Sequence, residues 1–284
     1  NILEQVDLEN AGFTKNKLLQ GIYNFIGTTL TKFVLASDIL AVTISKYVTT
    51  LEDKYKVKNV ALIPHGAFET PPEPSFKLPV GPKQVMAFGK FGTYKKVEIL
   101  IEAVEEIRSR TNENIEIVIA GTDSPNTPGY LDEMKEKYSH VPQLRFTGYV
   151  AEEDVPKIFG DSAVTVFPYT STTGSSGVLH QAGSYGNAVA LPDLGDLSVL
   201  VKEEGYVGEF FDAHDTSSLA NAIEKIITDD AYRIQLAKQN YKAACSLPMS
   251  AITQMYIDYF IAIKKSKETG FNIDITSVEK KLVH

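Results

Sequence analysis

From Val57 onward the chain alternates short, β-branched apolar runs with longer amphipathic stretches, and that alternation leaves few folds open. The runs are 57–64, 84–89, 115–121, 144–149, 164–169, 188–193 and 208–212. Several are apolar over most of their length rather than alternating, as expected of strands covered by helices on both faces. Between them, Val97, Leu100, Ala103, Val104 and Ile107 fall at helical spacing. Asp215 stands as an N-cap before a second stripe of Leu219, Ala222, Ile223, Ile226 and Ile227. The pattern predicts an α/β fold, a doubly wound parallel sheet of Rossmann-like type.

Residues 69–82 contain five prolines and cannot form a regular element. They predict a connection between two domains. Residues 1–68 then end a preceding domain, residues 83–248 form the sheet domain, and residues 249–284 supply a helix over 249–267 and a polar tail. That helix is expected to pack back towards the first domain. The chain opens with Asn and a helical stretch that no strand precedes, so the expectation is that most of the N-terminal domain is missing.

Composition excludes several classes. A formal charge of -8 does not suit a nucleic-acid partner, which requires clustered Lys and Arg against its phosphates. No apolar run approaches the ~18 residues of a transmembrane helix, and the polar, acidic start does not resemble a secretory leader. The single cysteine, Cys245, rules out a disulfide framework and reads as a small core residue of a helix. The expected location is the cytoplasm, with any membrane contact peripheral and made by the N-terminal domain.

In a doubly wound sheet, ligands bind beyond the carboxyl ends of the strands, where the strand order reverses. Two loops there are unusual. The first, 89–96, has Gly89 and Gly92, which allow close backbone approach, and Lys90, Lys95 and Lys96, which offer charge to a phosphate. It lacks the three-glycine dinucleotide fingerprint, and a solvated surface turn would read the same way. The second, 170–193, crowds Thr173, Gly174, Ser175 and Ser176 at the entry to a helix that begins near Ser176 or Gly177. Free N–H groups at a helix start suit a diphosphate, although a well-capped helix with no ligand also fits.

The order of these motifs resembles glycosyltransferase family four, the large retaining group of GT-B architecture, from about residue 36 to 260. SDILAVTISKYVTTLEDKYKVKNVALIPHGAF resembles the stretch that ends the family's N-terminal domain. FGKFGTYKKVEILIEAV, IEIVIAG, LRFTGYV and VPKIFGDSAVTVFPY resemble successive strands and helices of its donor domain. Residues 173–193 resemble its donor motif, a Glu followed after seven residues by a second Glu.

The resemblance implies that Lys90 and Lys95 take the places of the family's diphosphate-binding Arg and Lys. Lys96 stands where Gly is usual. Thr173 and Gln181 replace the two glutamates; Gln181 keeps both donors and acceptors for ribose hydroxyls, whereas Thr173 is too short for the usual sugar contact. The implied donor site is Gly89, Gly92, Thr173, Gly174, Ser175, Ser176, Gly177, Val178 and Gln181, with Lys90 and Lys95 stabilising the departing charge. His180 is expected to face a neighbouring strand. The implied reaction transfers a sugar from a nucleotide-diphosphate sugar to a glycan or lipid-linked acceptor, as in polysaccharide biosynthesis, with no metal and no other cofactor. The loops show no pair of carboxylates of the kind a retaining glycosidase sets about 5 Å apart. A sugar-nucleotide epimerase and a non-catalytic sugar-nucleotide-binding subunit are the competing readings.

Overall fold

The structure, a computed structural model, describes residues 16–68, 70–171 and 176–271. The chain divides into two compact units. The smaller contains α1 (Lys17–Leu35), β1 (Leu40–Val42), α2 (Ser45–Tyr55), β2 (Val60–Leu62) and, from the far end of the chain, α10 (Met249–Thr269). β1 and β2 pair in parallel, and Ile252 and Tyr259 of α10 share a core with Ala61 and Ile63. Lys267 of α10 closes on Asp38 at 2.8 Å. No run predicted β1: three residues are too short to show a period.

The larger unit, residues 67–172 and 176–246, holds the sheet. Its strands are β3 (Lys83–Phe91), β4 (Ile115–Asp123), β5 (Leu144–Gly148), β6 (Ser162–Val166), β7 (Ala188–Pro192) and β8 (Glu209–Phe211). They lie in the order β5-β4-β3-β6-β7-β8, every pair parallel. This is the doubly wound arrangement that the alternation predicts. The connecting helices are α3 (Val97–Arg110), α4 (Tyr130–Lys137), α5 (Val155–Gly160), α6 (Gly177–Ser184), α7 (Gly195–Glu203), α8 (Thr216–Thr228) and α9 (Asp230–Ser246).

The stripes of α3 and α8 bury themselves with Met134 of α4 on Val85, Ala87, Ile117 and Ile119. Asp215 caps α8 through the Ser218 N–H at 3.1 Å. On the side of α5, Phe88 meets Phe159 at 5.0 Å. A satisfied polar chain also fixes the strand that follows α6. Thr165 donates to Asn187, which donates to the Phe159 carbonyl, and Asn240 of α9 donates to the Asn187 carbonyl, all at 2.8–2.9 Å. Cys245 sits half-buried on α9 rather than in the core, because Ala243 and Ala244 occupy the inward positions.

Several boundaries differ from the sequence reading, β3 and β4 running on to Phe91 and Asp123 among them. The sixth strand ends at Val166, not 169, because Pro168 has no N–H to donate and the Tyr169 N–H turns back to Phe167. The proline-rich segment is more than a connection. Arg233 of α9 donates to the Phe76 carbonyl and Tyr241 to the Pro71 carbonyl, at 2.8 and 2.7 Å, so the segment is strapped along α9.

β3 and β4 stay paired to their last residues because glycines oppose each other at the end. Gly89 faces Gly121 in register, and a Cβ at Gly121, whose φ is +138°, would stand 1.9 Å from the Gly89 carbonyl oxygen. Gly121→Ala must therefore part the two strands as well as strain its own backbone. It should lower chemical-denaturation stability by about 3 kcal/mol or more, against about 1 kcal/mol for loss of the cap in Asp215→Ala. Equal effects would show that the close approach is not what requires glycine.

Candidate donor-binding site

The sheet order reverses between β3 and β6, so the loops after these two strands are neighbours although about 70 residues separate them in sequence. They are zipped together by main-chain bonds. Lys95 and Tyr169 form an antiparallel bridge. The Lys96 N–H donates to the Pro168 carbonyl, and the Thr170 N–H to the Tyr94 carbonyl, each at 2.8 Å. The Gly92 N–H reaches the Lys95 carbonyl at 3.0 Å and closes the turn.

Lys95 is the centre of the site. It is only 7% exposed, yet its ammonium donates to no carboxylate among the described residues. Its Nζ lies 3.4 Å from the Phe88 carbonyl and 4.8 Å from the Tyr169 ring centroid. Burial alone pushes it down to about 8 from 10.5. Gly89 is what makes room for it: a Cβ there would lie 2.7 Å from Nζ and 3.9 Å from Val178 Cγ2. The ammonium thus lies beside the first turn of α6. Ser176, the α6 N-cap residue, makes no side-chain bond to its own helix, and its Oγ lies 3.2 Å from the Tyr169 hydroxyl. The opening N–H groups of α6 and the Lys95 charge therefore share one small region, suited to an anion.

The other expected residues fall around this centre. Gly177 begins α6, with the Phe68 ring 3.3 Å from where its Cβ would be. Gln181 is half-buried one turn along α6, with no side-chain hydrogen bond to any described residue. Lys90 is exposed at the end of β3, and no contact brings it to Lys95. Gly92 has another reason to be glycine, since Thr127 and Tyr130 fill the space of a side chain. Lys96 turns away, donating to the Gly92 carbonyl at 2.8 Å and covering the Tyr130 ring. Thr173, Gly174 and Ser175 lie outside the described residues.

His180 faces away from this region. It is fully buried, with Nδ1 3.0 Å from the Tyr206 hydroxyl and Nε2 3.6 Å from Glu204, contacts that lie beyond α7 rather than on a strand. Tyr169 carries more of the geometry than the sequence reading assigned to it. An aromatic residue ending an apolar run looks like any core residue. Among the described residues no cluster of His, Cys, Asp or Glu is arranged to hold a metal, and no helix is long and apolar enough to cross a membrane.

Comparison with known proteins bears on the fold and the family. The chain is 26% identical over 178 residues to D-inositol 3-phosphate glycosyltransferase of Corynebacterium glutamicum, covering 61% of this chain and 42% of that protein. It spans about two fifths of the curated relatives it matches. Among solved structures, sucrose-phosphate synthase of Thermosynechococcus elongatus superposes with a TM-score of 0.68 at 19% identity, covering 89% of this chain and 66% of that one. The Anabaena HepE protein in complex with UDP and glucose gives 0.63 at 16% identity, covering 79% and 63%. These likenesses show a shared fold of GT-B type. The model of the family described as "Glycosyl transferases group 1" matches residues 82–229, more than half of the chain, and the chain belongs to that family.

Proposed function

We propose that this chain carries the donor half of a retaining glycosyltransferase, which moves a sugar from a nucleoside-diphosphate sugar to a glycan or lipid-linked acceptor. One observation supports the reading above the others: a buried ammonium with no carboxylate partner among the described residues, placed beside a helix start at the sheet's switch point. Such a group is uncompensated until an anion arrives. The barrier to transfer lies in separating the sugar from its diphosphate, and fixed positive charge at the departing oxygens lowers it. Lys95 and the α6 N–H groups supply that charge, and Lys90 adds to it from the rim. Gln181 bonds the ribose hydroxyls. The UDP-bound HepE protein is in keeping with this donor class, and the D-inositol 3-phosphate glycosyltransferases with sugar transfer.

Incubating the full-length protein with nucleotide sugars and acceptors tests the reaction directly. Acceptor-dependent release of nucleoside diphosphate supports transfer. Interconversion of sugars without release would mean an epimerase, and binding without turnover a non-catalytic subunit.

Lys95 gives a sharper test. Its folded value, lowered to about 8, means that the ammonium is present below that pH and lost above it. UDP affinity should accordingly hold up to about pH 8 and then fall by about tenfold per pH unit. Lys95→Met should cost at least about tenfold in UDP affinity by calorimetry. The same change removes a buried charge whose desolvation costs about 3 kcal/mol, so the variant should melt no lower than the parent. Unchanged affinity would remove Lys95 from the site.

For Gln181, the glutamate and alanine variants should move apart. Gln181→Glu should preserve or strengthen UDP binding, because a carboxylate accepts a hydroxyl proton more strongly than an amide does. Gln181→Ala should weaken it by about 1 kcal/mol. An alanine variant that binds like the parent would make Gln181 a structural residue.

A further inference from the structure

We propose that Tyr169 is a positioning residue that holds the Lys95 ammonium ready for the diphosphate and joins it to the first turn of α6. The inference rests on the donor-site reading above. Tyr169 is 4% exposed, so it touches no ligand through a free surface of its own. Its contacts run instead to both halves of the anion site. Its ring lies 4.8 Å from Lys95 Nζ, and its main chain is bridged to that of Lys95. Its hydroxyl lies 3.2 Å from Ser176 Oγ, at the start of α6. Tyr94 and Phe167 meet the ring edge-on, at 5.3 and 5.4 Å, and fix its plane.

The choice of an aromatic follows from what the other side chains would do. A carboxylate at this place would neutralise the ammonium and compete with the phosphate. An aliphatic residue would leave a buried charge with little beyond the Phe88 carbonyl. The face of a tyrosine ring attracts the cation through its quadrupole while taking none of its N–H groups. One N–H goes to Phe88, and the other two have no partner among the described residues and are open to ligand oxygens. Burial pushes the Tyr169 phenol up, so it stays neutral beside the ammonium.

The test titrates the intact protein, Tyr169→Phe and Tyr169→Leu with UDP, GDP and ADP by calorimetry, from about pH 6.5 to about pH 9.5. Circular dichroism verifies folding. In the parent, affinity for the best of the three should break near pH 8. Tyr169→Phe keeps the ring and should hold the break, losing about two- to threefold in affinity with the Ser176 bond. Tyr169→Leu should lose about tenfold at neutral pH, and its break should move to lower pH. A merely structural role would not move the break. A folded leucine variant with the parent's affinity and the parent's break would overturn the inference.

If the leucine variant does not fold, Tyr169→Phe and Ser176→Ala decide. Their combination should lose no more than the larger single loss, because both remove one bond, whereas losses that multiply would overturn the link to α6. A parent that binds none of the three nucleotides overturns the donor-site reading, and this inference with it.

Discussion

The parallel pairing of β3 with β6, at the point where strand order reverses, is the constraint on which the rest of the larger unit depends. β4 and β5 build outwards on one side of β3, and β7 and β8 build outwards beyond β6. At the reversal no crossover helix lies over the gap between the two strand ends, so their loops meet there. The Lys95–Tyr169 bridge is the covalent chain's response, a main-chain contact across 74 positions of sequence. It converts an exposed loop into a rigid wall, and it carries one lysine inward.

That burial is costly and is not recovered within the described residues. Lysine is rarely buried without a carboxylate, since desolvation favours the neutral amine. The same larger unit pairs several other buried polar groups at both ends. Asn187 and Asn240 are fully enclosed and bonded at both ends. Arg233 has its acidic neighbour and a carbonyl. Lys95 has an aromatic face and a long contact to one carbonyl. Beside Asn187, Asn240 and Arg233, a buried cation with so few partners among the described residues points to a ligand. The opposed glycines tell a related story. Gly89, at a φ of +123°, leaves the Lys95 ammonium its room, Gly121 is required by the Gly89 carbonyl, and Gly92 by Thr127 and Tyr130. Glycine in these loops therefore serves the protein's own packing before it serves any ligand.

Period and composition made the architecture legible. Runs such as 115–121 and the stripe from Val97 to Ile107 carry strong, local signals, and each became the element expected. Signals failed where the local pattern was short or shared. β1 has three residues. The run 164–169 continues three residues past the end of its strand because Phe167, Pro168 and Tyr169 are as apolar as the residues before them. The prolines of 69–82 excluded a regular element but could not reveal that Arg233 and Tyr241 bind the segment along α9.

The residues that give the site its character divide along the same line. Lys95, Ser176 and Gly177 are legible in the sequence because residue type and position at a strand end or helix start are local properties, and Gln181 is legible only through the family resemblance. Their hierarchy is not local. Lys90 and Lys95 are five positions apart and equal in charge, yet one is exposed and the other buried over an aromatic ring. His180 and Gln181 are adjacent on one helix, and the turn of that helix sends His180 to Tyr206 and Glu204 and leaves Gln181 without a partner among the described residues. Apolar period sets fold class because burial acts on each element's own face. Which charge is desolvated depends on what two distant loops place around it, and that exists only once β3 and β6 lie side by side.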